Sequence, residues 1–300
     1  MSVHIGINPL TWSNDDMPEL GADIPLEQCL REGREAGYAG FELGHKFPRD
    51  RAVLTSLLAR HGLALVSGWY STRLLQRNLE EEIAAVQPHL ELLLDMDCEV
   101  MVCAEVSGCI HGDRSSPLSA RPRLNDKELA DFAQRLTAFA EYLQSRGMRL
   151  AYHHHMGTVI ESVDDIRRLM ANSGAALGLL LDTGHLTYAG GDPAVLARDY
   201  GDRIVHLHCK DVRAPVLQRA HASDWSFLDA VLAGVFTVPG DGAIDFASVL
   251  RALPDTYSGW VVVEAEQDPA MADPPTYARM GYQYLAALLQ KSPLAFEEII

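Results

Sequence analysis

The chain has 300 residues, 48% of them hydrophobic and 22% charged, an ordinary globular composition at a length that one α/β barrel can hold around a single core. A formal net charge of −16 repels phosphate backbones and argues against a nucleic-acid partner. With no run of about 18 apolar residues and no basic-then-apolar start in Met1–Gly6, neither a membrane span nor a signal peptide is expected, and the location is expected to be cytoplasmic.

Short apolar runs alternate with amphipathic segments from end to end, the pattern of βα units around a parallel sheet. Strands are predicted at Val3–Leu10, Gly40–Leu43, Ala64–Trp69, Val100–Glu105, Arg149–His155, Leu177–Asp182, Ile204–Lys210 and Trp260–Glu266. Helices are predicted between them. One spans Pro25–Ala36 with Pro25 as its first helical residue, and another spans Asn125–Ser145, capped by Asn125 with Glu128 three positions on. Gly37, Gly62 and Gly147 mark helix ends. Long excursions follow strand ends at 107–123 and 213–241, where barrels place catalytic loops. Within the second, 223–232 reads as a short helix, either a lid or a surface excursion. The segment 291–300 is expected beneath the barrel or in a homo-oligomer contact. Without a linker or a break in composition, the expectation is a single (β/α)8 TIM barrel, one domain over 1–300.

Four predicted strands end in metal-type ligands: Tyr152-His153-His154-His155, Asp182-Thr183-Gly184-His185, His206-Leu207-His208-Cys209-Lys210-Asp211 and Glu264-Ala265-Glu266. Imidazole and carboxylate suit a divalent transition ion, and ligands drawn from separate strand ends are how a barrel builds an active site. Alternation puts His153 and His155 on one face and His154 on the other; His206, His208 and Lys210 share a face, as do Glu264 and Glu266. His154 reads as a core imidazole and His206 as either core or site. Asp182 could cap the next helix, although His185 beside it favours the site. So many buried charges without a cation would be costly. The five cysteines (Cys29, Cys98, Cys103, Cys109, Cys209) are odd in number and lack C-x-x-C spacing, so neither disulfides nor a thiolate zinc site is expected.

The Asp-x-x-His after strand six, the His-x-His with its following Lys-Asp, and Gly259 before Glu264 resemble the xylose-isomerase-like barrel superfamily. More narrowly, Gly6–Asn14, Glu42-Leu43-Gly44 with Lys46-Phe47-Pro48, Tyr152–Thr158 and Glu264–Pro269 resemble the myo-inosose-2 dehydratase family along essentially the whole chain. The resemblance implies a lyase of inositol catabolism that removes water from 2-keto-myo-inositol, a cyclitol, to give a trihydroxycyclohexane-1,2-dione. It also implies a metal held by residues of strands five to eight. Asp182, His208 and Glu264 match that set. The usual fifth-strand Glu is missing; His153 stands in its place, with His155 its near rival. Mn²⁺ or Co²⁺ suits this mixed set at least as well as Zn²⁺. A His in place of Glu breaks the symmetry an epimerase needs and suits a dehydratase, which uses distinct base and acid. By position, Glu264 or His155 is the candidate base and His185 or Lys210 the acid. Asn8, Trp12, Glu42, Lys46, Trp69 and Glu105 are the expected substrate contacts. The alternatives are a sugar or cyclitol isomerase or epimerase on the same barrel, and a noncatalytic sugar-binding barrel. An abasic-site nuclease is opposed by the acidic charge.

Overall fold

A computed structural model describes residues 2–296. Ten strands occur among them: β1 (Val3–Ile7), β2 (Gly40–Leu43), β3 (Ala64–Thr72), β4 (Val100–Glu105), β5 (Arg149–His153), β6 (Leu177–Asp182), β7 (Ile204–Cys209), β8 (Asp211–Val212), β9 (Phe236–Thr237) and β10 (Gly259–Val263). All but β8 and β9 form a closed parallel barrel in the order β1-β10-β7-β6-β5-β4-β3-β2, and β1 pairs back to β2. The chain therefore carries the eight-stranded barrel its alternating pattern predicts. The first, fifth, seventh and eighth barrel strands stop earlier than expected and the third runs longer, to Thr72. After Ile7 the Pro9 ring starts a single 3-10 turn, Pro9–Thr11, which Asn8 caps.

The helices are α1 (Leu26–Ala36), α2 (Arg51–His61), α3 (Leu79–Asp95), α4 (Asp126–Ser145), α5 (Val163–Asn172), α6 (Thr183–Tyr188), α7 (Pro193–Tyr200), α8 (Ala214–Ala222), α9 (Phe227–Leu232), α10 (Phe246–Ala252) and α11 (Pro274–Leu289). Helix α4 has the capping box read from Asn125 and Glu128. Pro25 is not the first helical residue. It occupies the cap position with extended backbone (ψ 146), one residue earlier than Pro favours. Gly37 and Gly62 close α1 and α2 with left-handed backbone at φ 114 and 62.

Inside the barrel, Val100, Val102, Ala151 and Leu180 make a small apolar plug. Lower down, Gly6 and Gly40 leave room for the Trp260 indole: a Cβ on either would come within 3.2 or 3.0 Å of it. The other face of the strands packs on the helices as the main core. At the barrel's lower end Val3 donates its N–H to Ala295 and bridges to Phe296, so 291–296 packs beneath the barrel, and 297–300 lie outside the described residues.

The excursion at 213–241 holds α8, α9 and an antiparallel pair of β8 with β9. Helix α8 was not anticipated, and the short helix begins at Phe227 rather than Ser223. These elements form a second apolar core of their own, with Phe227, Leu228, Val231 and Phe236 joined by Met17 and Leu118 from other loops. Ser119 bonds Asp224, Leu118 N–H donates to the Trp225 carbonyl, and Arg114 pairs with Asp229 at 2.6 Å. The result is a lid seated on the C-terminal end of the barrel.

Candidate metal centre and active site

Every sequence-predicted metal ligand sits at the C-terminal end of its strand, on the barrel's inner side. Registers place Asp182 of β6 and Val262 of β10 level with His208 of β7. His153 Nε2 lies 3.5 Å from Asp182 Oδ2, and His208 Nδ1 lies 3.6 Å from the same oxygen and 2.8 Å from Glu264 Oε2. Atoms about 2.0–2.2 Å from a common ion stand about 3–4 Å apart, so the spacing fits a divalent cation.

The partners of these side chains aim them. His153 Nδ1–H donates to the His154 carbonyl at 2.7 Å, which leaves the Nε2 lone pair facing inward. His208 Nε2 lies 3.1 Å from Glu42 Oε1, a carboxylate–histidine contact that turns Nδ1 toward Asp182 and Glu264. Asp182 divides its oxygens: Oδ1 accepts the His185 N–H at 2.7 Å and caps α6, while Oδ2 is buried with no hydrogen-bond partner. A helix cap and a candidate ligand are thus the same residue. An orphaned buried carboxylate oxygen among imidazoles is what a bound cation would satisfy. Burial alone would raise the Asp182 carboxyl, but Lys210 and His185 hold it well below the usual range. Glu42, likewise opposed by burial, is held low by His208 and His206.

The Asp-Thr-Gly-His turn also builds the neighbouring subsite. Thr183 Oγ1 accepts the Lys210 N–H at 3.0 Å and donates to the Lys210 carbonyl at 2.7 Å, pinning β7 to β6. Gly184 lets the lysine pass, since a Cβ there would lie 2.5 Å from Lys210 Cγ. The fully buried ammonium is 2.6 Å from both Glu264 Oε1 and Glu266 Oε1, 3.8 Å from Asp182 Oδ2 and 3.0 Å from His185 Nε2. Burial would lower its proton affinity, but the carboxylates raise it well above the ordinary lysine value. His155, His185 and Glu266 also cluster closely enough to hold a metal. Lys210 already supplies the cation there. Glu42, His206 and His208 form a third such group, but their atoms are joined to one another: His206 Nε2 is 2.8 Å from Glu42 Oε1. The set of His153, Asp182, His208 and Glu264 is left as the candidate ion site.

Above it opens a cavity of ≈ 300 Å³ whose wall includes Asn8, Glu42, Trp69, His153, His155, His208, Glu264 and Glu266. This is the small end of the range for ligand pockets. Asn8 Nδ2 donates to Glu42 at 2.7 Å and to Glu264 at 3.1 Å, and the half-exposed Trp69 stands edge-on to His153 and His155. Three expected substrate contacts are turned elsewhere. Trp12 is fully buried against Phe41, with Nε1 donating to Glu32 at 2.6 Å. Lys46 Nζ donates to the Gly21 and Ile24 carbonyls and ties down the first loop. Glu105 accepts the Leu74 and Ser107 N–H groups at 2.7 and 3.0 Å, bracing two loops. His185 and Lys210 lie behind the wall, with His185 stacked on Phe227 of the lid. His154 faces away from the ion site; burial, then the charge of His153, pushes it down to about 3. The wall also holds Asn14, Asp16, Ser71 and His111, which strand-end reasoning passes over because all but Ser71 lie in loops.

A family model described as xylose isomerase-like TIM barrel matches residues 30–288. An inosose dehydratase of Geobacillus thermodenitrificans is 43% identical over 286 residues, 94% of this chain and 96% of that protein. The chain belongs to the inosose dehydratase family of xylose isomerase-like TIM barrels. Another family relative, the rhizopine catabolism protein MocC of Rhizobium meliloti, is 52% identical over 96% of this chain and 89% of its own length. Among solved structures, a probable 3-DHS dehydratase, AsbF, of Bacillus anthracis superposes with TM-score 0.69 at 13% identity, covering 95% of this chain and 99% of that one. The IOLI protein, solved with a bound zinc atom, superposes at 0.62 with 16% identity, covering 96% and 99%. These two likenesses concern the barrel fold.

Proposed function

We propose that this protein is a metal-dependent dehydratase that removes water from 2-keto-myo-inositol to give the trihydroxycyclohexane-1,2-dione in inositol catabolism. Identity to inosose dehydratases across nearly the whole chain carries the reading. The cavity supports it, because among the described residues neither lysine nor arginine lines the wall, which suits an uncharged polyol better than a sugar phosphate.

His153, Asp182, His208 and Glu264 would hold the ion, Mn²⁺ or Co²⁺ before Zn²⁺ given two imidazoles and two carboxylates. A divalent ion bound there supplies electrophilic pull on a ketone oxygen and so acidifies the neighbouring C–H. His155 lies on the wall with Nδ1–H donating to the Met156 carbonyl at 2.9 Å, which leaves Nε2 free to accept the proton. Burial, then His185, holds its imidazole well below the usual value, so it is unprotonated at neutral pH. Trp69 offers an apolar edge to the ring, and Asn8 and Glu266 offer hydrogen bonds to hydroxyls. A histidine rather than a carboxylate on the fifth strand weighs against an epimerase.

The test is direct. Protein stripped with a chelator and reloaded with Mn²⁺, Co²⁺ or Zn²⁺ is given 2-keto-myo-inositol while dione absorbance is followed; activity is expected only with metal, and no dione with any of the three sinks the reading. The identity to MocC favours a second reading, service in rhizopine catabolism. A gene deletion that blocks growth on rhizopine while sparing growth on myo-inositol would select it.

A further inference from the structure

Elimination of water needs a proton donor as well as a base, and the residues nearest the ion do not offer one. Lys210 and His185 are behind the cavity wall. The lysine proton is held between two carboxylates at 2.6 Å, and removing it would strand buried negative charge. Glu266 is already paired with that ammonium, and Asp15 is an exposed carboxylate paired with His45 at 2.6 Å. The remaining imidazole on the wall outside the ligand set and His155 is His111.

His111 belongs to the long loop after β4, and its ring stands 5.0 Å from that of His155 at 63°. The loop is fixed to the one after β5: Ile110 N–H donates to the Gly157 carbonyl at 2.9 Å. Gly157 has φ +75, and a Cβ on it would meet His111 N at 2.9 Å, so glycine is required for this approach. Across the mouth, His111 Nε2 lies 3.8 Å from Asp16 Oδ1. Asp16 is held in turn by the Asn14 side chain, which accepts its N–H at 2.9 Å. His111 Nδ1 is buried without a hydrogen-bond partner. Two loops and a glycine thus set an imidazole beside a carboxylate at the rim, next to the free imidazole of His155.

We propose that His111, paired with Asp16, is the general acid that protonates the departing hydroxide. The step rests on the dehydratase reading above. The C–H bond next to the ketone breaks and its proton goes to His155 Nε2, leaving the electron pair as an enolate. As the ketone re-forms, the pair becomes a C=C bond toward the next carbon, and that carbon's C–O bond breaks. The leaving oxygen takes the His111 proton and departs as water. The enol left behind tautomerises to the 1,2-dione, and solvent exchange resets both imidazoles; no oxidant or reductant is involved. The surroundings of His111 suit a proton donor. Burial lowers the proton affinity of His111, but the neighbouring Cys109 thiol and the charges of Asp16 and Glu266 raise it above the ordinary value.

His111→Gln in the metal-loaded enzyme tests this. Dione formation from 2-keto-myo-inositol should fall by about 10²-fold or more, the usual worth of a general acid. Metal content and deuterium exchange next to the ketone should persist. The same ketone with fluorine at the departing position needs no proton, so the variant should release fluoride at the wild-type rate. Unchanged dehydration, or fluoride release slowed as much as water loss, overturns the acid role while leaving the dehydratase reading intact. Wild-type enzyme that neither exchanges nor dehydrates the ketone overturns the dehydratase reading, and the acid role with it.

Discussion

Asp182 shows how one side chain serves two ends. Because Oδ1 caps α6 and Oδ2 faces the ion site, the two tasks can be separated by substitution. Asp182→Asn keeps a capping oxygen and loses the charge, so Mn²⁺ affinity should fall beyond the roughly 10–100-fold typical of losing an outer partner. Helix α6 should survive. Asp182→Ala should lose the ion as well and cost about 1 kcal/mol more stability, the worth of an N-cap; calorimetric metal titration and thermal unfolding read the two effects apart. Glu42→Gln, which weakens the orientation of His208, should reduce affinity about 10–100-fold, and unchanged affinity would strip Glu42 of that part. These residues were legible in the sequence because period-two alternation says which strand side chains point inward. Trp12 and Lys46 were misplaced for the complementary reason: past a strand's end, position locates a residue at the rim but not the direction of its side chain, whereas Glu105 shares with Met101 and Cys103 the outward face of β4, which alternation does predict. Trp12 turned to Glu32, and Lys46 to backbone carbonyls.

At the scale of elements, the loops hold the site together through buried polar clamps. Arg121, nearly inaccessible, pairs with Asp165 at 2.7 Å and Glu161 at 3.1 Å, joining the loop after β4 to the start of α5. Arg121→Met takes the buried cation from both carboxylates, leaving Asp165 only Arg168 at 4.0 Å, and should cost about 3–5 kcal/mol in denaturant unfolding. A loss near zero would mean the clamp is solvated in solution. Gly184→Ala drives a methyl toward the Lys210 stem and should cost about 1–3 kcal/mol while displacing the ammonium from Glu266. Activity should fall with it; a fully active alanine variant would show that the lysine's path is not constrained. The strands and α4 were readable from periodicity and capping residues. Of the lid only the short helix was, since α8 and the β8–β9 pair bury their faces within the lid's own cluster, and a short segment's partner cannot be inferred from its own pattern. His111 and Asp16 were hidden likewise, in loops without a period to orient them.

For the whole molecule, the count of cations is the sharpest expectation. Among the described residues three groups of ligand-type side chains crowd the barrel mouth, yet one contains a resident ammonium and another is closed by its own hydrogen bonds. Purified protein should therefore bind about one divalent ion per chain, by elemental analysis after gel filtration. Two ions per chain in the wild type would contradict the assignment of Lys210. Lys210→Ala, by contrast, vacates a pocket of carboxylates and imidazoles and should admit a second ion. The lid adds a different consequence. Its apolar interior is a cluster separate from that of the barrel, while the ligand set hangs from barrel strands. The strand ends that carry the ligand-type side chains and the part that roofs them are built on different apolar clusters. Descendants of such a barrel can thus trade one roof for another, acquiring new preferences among polyols without rebuilding the chemistry beneath.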